Sequence, residues 1–127
     1  MKYLESKDII RINQKILSKV EGYATGFQAP DGKEILESIV KKALEKEEPS
    51  EVAAEYLYGL NTKHVFKSAN KRTAFIAAEV LLGRNGITLD LSNQEVATLS
   101  KNIRARSISQ NEVEKLIKER SKTKMFC

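Results

Sequence analysis

The stretch KHVFKSANKRTAFIAAEVLLGRNG, Lys63 to Gly86, concentrates the residues of this chain that suit proton and phosphate chemistry. His64 is the only histidine, and imidazole both accepts and donates a proton near neutral pH, as a general base on an attacking hydroxyl must. Six residues on, Asn70, Lys71 and Arg72 stand at the predicted mouth of a helix. The first N–H groups of a helix have no intrahelical partners, and with the helix dipole they favour an anion. An amide, an ammonium point charge and a planar guanidinium fork around that spot suit a phosphate. Lys71 and Arg72 are themselves ill placed beside the positive end of the dipole, so an anionic ligand would offset their cost. Phe66 reads as a core anchor for the loop, and Tyr56 and Tyr58 upstream as packing residues. The same residues also suit a plain polar turn between two core helices, since a lone loop histidine is most often a surface group and first-turn cations are most often solvated.

The elements that must position these groups are helical throughout. Apolar residues recur at helical spacing, with no long alternating strand pattern, internal repeat or low-complexity linker. A first helix is predicted from Ser6, as N-cap, to about Val20, with Ile9, Ile12, Ile16, Leu17 and Val20 on one face. EGYATGFQAPDG breaks it. A second helix opens at Asp31, with Glu34 at capping-box spacing, and buries Ile35, Leu36, Ile39, Val40, Ala43 and Leu44. Pro49 and Ser50 start a third, carrying Val52, Ala53, Tyr56, Leu57 and Leu60 straight toward His64. The fourth, Asn70 to Asn85, is apolar on most sides through Ala74, Phe75, Ile76, Ala77, Ala78, Val80, Leu81 and Leu82, which marks it as central, and Gly86 closes it. ITLDL reads as a short extended link, Ser92 and Ser109 as N-caps of two further helices, and the end of the chain as compact helix. The fold class expected is all-α.

At 127 residues and 14.3 kDa the chain is the size of one domain, 1–127, and needs no covalent staple. The one cysteine, Cys127, excludes an internal disulfide and a cysteine-held zinc. No apolar run approaches the ~20 residues that span a bilayer, and the N-terminus has no apolar leader segment, so a soluble, cytoplasmic protein without a membrane partner is expected. The net charge of +5 permits an acidic partner. Lysines and glutamates are nevertheless interleaved, as in KKALEKEE and EVEKLIKER, with local excess only in KNIRAR and the tail KERSKTK. The tail reads as solvated, and nucleic acid is not an expected partner.

HVFKSANKRTA resembles the signature of the Fic/Doc (Fido) family, His-x-Phe-x-acidic-small-Asn-(Gly or Lys)-Arg on a loop leading into a helix. With Lys71 at the variable place and Thr73 following, it is most similar to the Doc, death-on-curing, toxin branch. GFQAPDGKEILESI before the motif and LLGRNGITLDLSNQEVATLS after it extend the resemblance. The resemblance implies a Fido-type core of about six helices with a central buried helix after the motif, binding ATP with Mg²⁺. Relatives with glycine in place of Lys71 mostly transfer AMP to a hydroxyl, whereas Doc toxins act as kinases on a threonine of elongation factor Tu and stop translation. Carried over, His64 is the general base, Phe66 the loop anchor, and Asn70, Lys71 and Arg72 the phosphate contacts, with Lys63 taking the place of a basic residue ahead of the histidine. The metal-holding acidic residue falls at Ser68, a neutral hydroxyl and a poor substitute around Mg²⁺. The resemblance also implies a cognate antitoxin whose disordered C-terminal segment folds onto the toxin. Two alternatives stand beside the kinase: AMP transfer, and a catalytically impaired protein that still binds nucleotide or antitoxin.

Overall fold

The structure, a computed structural model, describes residues 1–19 and 25–123. Val20 and Cys127 lie outside the described residues. Six helices and two short strands follow in order: α1 Ser6–Leu17, α2 Gly32–Leu44, α3 Pro49–Thr62, α4 Asn70–Arg84, β1 Ile87–Leu89, α5 Asn93–Arg104, α6 Gln110–Glu119 and β2 Ser121–Thr123. The fold is helical, as the periodicity predicts.

Helix starts follow the local chemistry closely in the second half of the chain. Ser92 Oγ accepts the Glu95 N–H at 3.2 Å while Glu95 Oε1 accepts the Ser92 N–H at 3.1 Å. The pair Ser109 and Glu112 repeats that arrangement at α6. Two starts in the first half differ from expectation. At α1 the cap is Glu5 and not Ser6, because Asp8 reaches back to accept the Glu5 N–H at 2.8 Å. Asp31 does occupy the N-cap of α2, but its backbone (φ −90°, ψ 9°) is not extended and its side chain makes no capping bond. A turn in which the Gly32 N–H reaches Ala29 O at 2.9 Å leads into that helix instead.

The core is built on α3, which packs against α2, α4, α5 and α6. Val52, Ala53, Ala54, Tyr56, Leu57 and Leu60 are all buried. Helix α4 buries Thr73, Ala74, Ala77, Ala78, Leu81 and Leu82, and leaves Phe75, Ile76 and Val80 partly covered. Of the stripe predicted for α2, Leu36, Ile39 and Ala43 are buried, whereas Leu44 is 55% exposed at the helix end. Gly86, at φ +75°, turns the chain out of α4.

The end of the chain is not all helix. ITL and SKT pair as antiparallel strands in the register Ile87↔Thr123, Thr88↔Lys122 and Leu89↔Ser121, and the Asp90 N–H reaches Arg120 O at 2.8 Å. Two three-residue segments far apart in sequence satisfy each other's backbone groups, so this part of the tail is docked, not merely solvated. No helix among the described residues is long and apolar enough to cross a membrane.

Candidate active site

The loop from Lys63 to Ala69 joins α3 to α4, and its conformation is fixed from three sides. From within, the Asn70 side chain closes a ring on Phe66: the Phe66 N–H donates to Oδ1 at 2.9 Å and Nδ2 donates to Phe66 O at 2.7 Å. From the segment before α2, the Gln28 N–H donates to Val65 O and the Lys67 N–H to Gly26 O, both at 3.0 Å. Phe27 and Phe66 form an antiparallel bridge there, and their rings stack with centroids 5.7 Å apart. Gly32 permits this approach, since a Cβ on it would stand 2.6 Å from the Phe27 Cβ. From α1, the buried Asn13 donates through Nδ2 to Ser68 O at 3.0 Å and to Thr73 Oγ1 at 3.1 Å.

Two residues of this loop hold left-handed backbone, His64 at φ +46° and Ala69 at φ +62°. The first swings the chain out of α3 and the second turns it into α4. Phe66, 2% exposed, anchors the loop in the core, and His64 stays exposed above it. Behind the Ala69 turn, the Asn70, Lys71 and Arg72 amides carry no hydrogen-bond partner among the described residues. These are the orphan donors of a helix N-terminus.

His64, Lys67, Ser68, Ala69, Asn70, Lys71 and Arg72 open onto one cleft of about 500 Å³, closed on its other sides by Ile16 and Leu17 of α1, Asn61 of α3 and Arg104 of α5. Among the described residues its charged lining is cationic, without one carboxylate. Lys63 caps α3 and is not on the cleft wall. Of the lining residues, Asn61 is 2% exposed; its Nδ2 turns back to donate to Leu57 O at 2.7 Å, which leaves Oδ1 buried without a partner. An unmatched buried acceptor costs about 1–3 kcal/mol until something donates to it.

A model of the Fic/DOC family matches residues 3–82, from the start of α1 through most of α4. This chain belongs to the Fic/DOC family. It is 30% identical over 103 residues to protein kinase doc of Escherichia phage P1, an overlap of 79% of this chain and 80% of that protein.

In this Fic/DOC member the cleft fits the two expected ligands unequally. Free amides, two lysines, two arginines and a wall of Ile16 and Leu17 suit a polyphosphate with an apolar body attached. Magnesium prefers anionic oxygen, and here Ser68 offers one neutral hydroxyl while its carbonyl already accepts from Asn13. No cluster of three or more His, Cys, Asp or Glu side chains stands ready for a metal among the described residues. The donor set of the described residues therefore does not fit a magnesium ion held by the protein.

Sequence reasoning passed over Asn13, Phe27, Asn61 and Arg104. Asn13 carried a signal, as a polar residue inside the apolar stripe of α1 between Ile12 and Ile16. Arg104 was visible only as part of the basic run KNIRAR. Nothing local tells that α5 ends over the loop before α4.

Proposed function

We propose that this chain transfers the γ-phosphoryl group of ATP to a serine or threonine hydroxyl of a protein, and that it acts as a growth-inhibiting Doc-like toxin. The observation that carries this reading is that His64 and the N-terminus of α4, with Lys71 and Arg72, open onto the same cleft. The triphosphate lies along the free amides of α4. The acceptor hydroxyl approaches past His64; its oxygen bonds to the γ-phosphorus, the bond from that phosphorus to the β,γ-bridging oxygen breaks, and ADP leaves. The hydroxyl proton passes to His64. Asn70 holds the peptide of Phe66 with one N–H and keeps a second for phosphate. Lys71 favours the γ over the α position because its bulk stands where glycine would leave room for AMP transfer. An elongation factor of the Tu type is the proposed target, and an antitoxin with an acidic segment that folds on binding the proposed partner.

Incubation with ATP labelled at the α or the γ position, with elongation factor Tu as acceptor, tests the reading. Label from the γ position is expected on the acceptor. Label from the α position instead means AMP transfer, and none from either sinks the transferase. The His64→Ala variant is expected to lose about 10²- to 10⁴-fold in transfer, the share general-base catalysis supplies, with its helical circular dichroism unchanged. Ser68 and the absence of carboxylates among the described residues of the cleft wall favour a second reading, a nucleotide-binding protein with impaired turnover. In that case ATP binds, no label moves, and Ser68→Asp raises transfer sharply.

A further inference from the structure

The mismatch between the cleft and a divalent cation has a positive counterpart in its charges. Lys67 from the loop, Lys71 and Arg72 from the first turn of α4, and Arg104 from the end of α5 converge on one cavity. None of the four takes part in an ion pair among the described residues. Four like charges around one cavity repel one another, and the N-terminal end of the α4 dipole adds to the same sign. A metal ion that enters with the ligand brings two further positive charges to this wall and halves the charge of a tetra-anionic triphosphate. Asn61 gives an independent sign of a ligand: its buried Oδ1 lacks a donor, and the residue lines the same cleft as Ile16 and Leu17. That oxygen cannot serve a phosphate. An acceptor suits a hydroxyl or amino group, the donors that the nucleoside end of such a ligand carries.

We propose that the cleft binds a nucleoside triphosphate free of divalent metal, with Lys67 and Arg104 supplying the neutralisation a metal would otherwise provide and Asn61 accepting from the nucleoside. The proposal rests on the ATP reading above and deepens it. Arg104 becomes a binding residue contributed by a helix outside the loop motif, and the neutral Ser68 becomes a consequence: a carboxylate there would face Lys67, Lys71 and Arg72 and compete with the phosphates for them.

Calorimetric titration of ATP into the full chain, once with EDTA and once with excess Mg²⁺, tests it. Binding in EDTA is expected to be tighter than with Mg²⁺ by about threefold or more, as the larger ligand charge requires. Because Arg104 is exposed, Arg104→Gln is expected to fold and to weaken binding in EDTA by about tenfold, the effect of losing one charge-assisted contact. Ser68→Asp is expected to weaken binding in EDTA and to bind more tightly once Mg²⁺ is added. Binding that requires Mg²⁺ in the unaltered protein overturns the proposal and leaves the ATP reading standing, and no binding under either condition overturns both. An Arg104→Gln variant that binds as the unaltered chain does overturns the role given to Arg104.

Discussion

His64 and Ala69 share an unusual backbone and use it for opposite ends. Both have φ in the left-handed region, which costs an L-residue roughly 1–2 kcal/mol. Histidine is among the residues that tolerate this region and alanine is not. At His64 the conformation lifts the imidazole out of the packed loop while Val65 and Phe66 turn inward. A His64→Asn variant should therefore keep the loop and lose the base, which separates chemistry from folding more cleanly than truncation to alanine. At Ala69 the conformation only makes the turn. Ala69→Gly removes the strain against a smaller loss of chain entropy, so it is expected to stabilise the protein by about 0.5–1 kcal/mol. Urea unfolding checks this: a midpoint no higher than that of the unaltered chain would show that the Ala69 methyl packs more favourably than its backbone is strained.

At the scale of elements, the loop before α4 is held by groups from three places that the chain order keeps apart. Asn13 is the strongest of these ties because it is buried and bonds to two groups at once, Ser68 O and Thr73 Oγ1. Asn13→Ala leaves both without that donor inside the protein. It is expected to cost about 1–3 kcal/mol and to lower transfer beyond what the stability loss explains, because the α4 N-terminus loses its register against the loop. Thermal unfolding and the γ-label assay together check this; normal transfer at a temperature where the variant is fully folded would assign Asn13 to stability alone. The helices were legible because their signals are local: Ser92 with Glu95, Ser109 with Glu112, and Pro49 at the first turn of α3 each act within four residues. The motif from His64 to Arg72 was legible for the same reason. The pairing of β1 with β2, the Phe27 stack on Phe66, and the arrival of Arg104 at the cleft join segments tens of residues apart. No periodicity in a single segment encodes them. Glu5 displaced Ser6 as the cap of α1 because Asp8 competes within the same turn, a choice of one residue that spacing alone leaves open.

At the scale of the molecule, the end of α6 is fastened to the start of α5 by a charge pair whose dependence on acid can be worked out. Arg120 meets Glu95 with both guanidinium nitrogens, Nη1 to Oε2 at 2.5 Å and Nη2 to Oε1 at 3.0 Å, while Oε1 also accepts the Ser92 N–H. The hydrogen bonds from Arg120, aided by the backbone bond at Ser92, hold the Glu95 carboxyl at about 2. An unfolded glutamate titrates near ~4.3, so the folded state favours the ionised form. The pair's contribution is therefore fully present above that unfolded value and is lost as pH falls through about 2. Glu95→Gln keeps a side chain that can complete the capping box with Ser92 but removes the charge. Compared by urea midpoint, the unaltered chain is expected to exceed this variant at neutral pH, and the gap should close between pH ~4.5 and ~2. A gap that stays constant across that window would mean that Arg120 is held by geometry and not by the charge of Glu95. The strand pair β1–β2, which follows directly from Arg120, would then owe nothing to it.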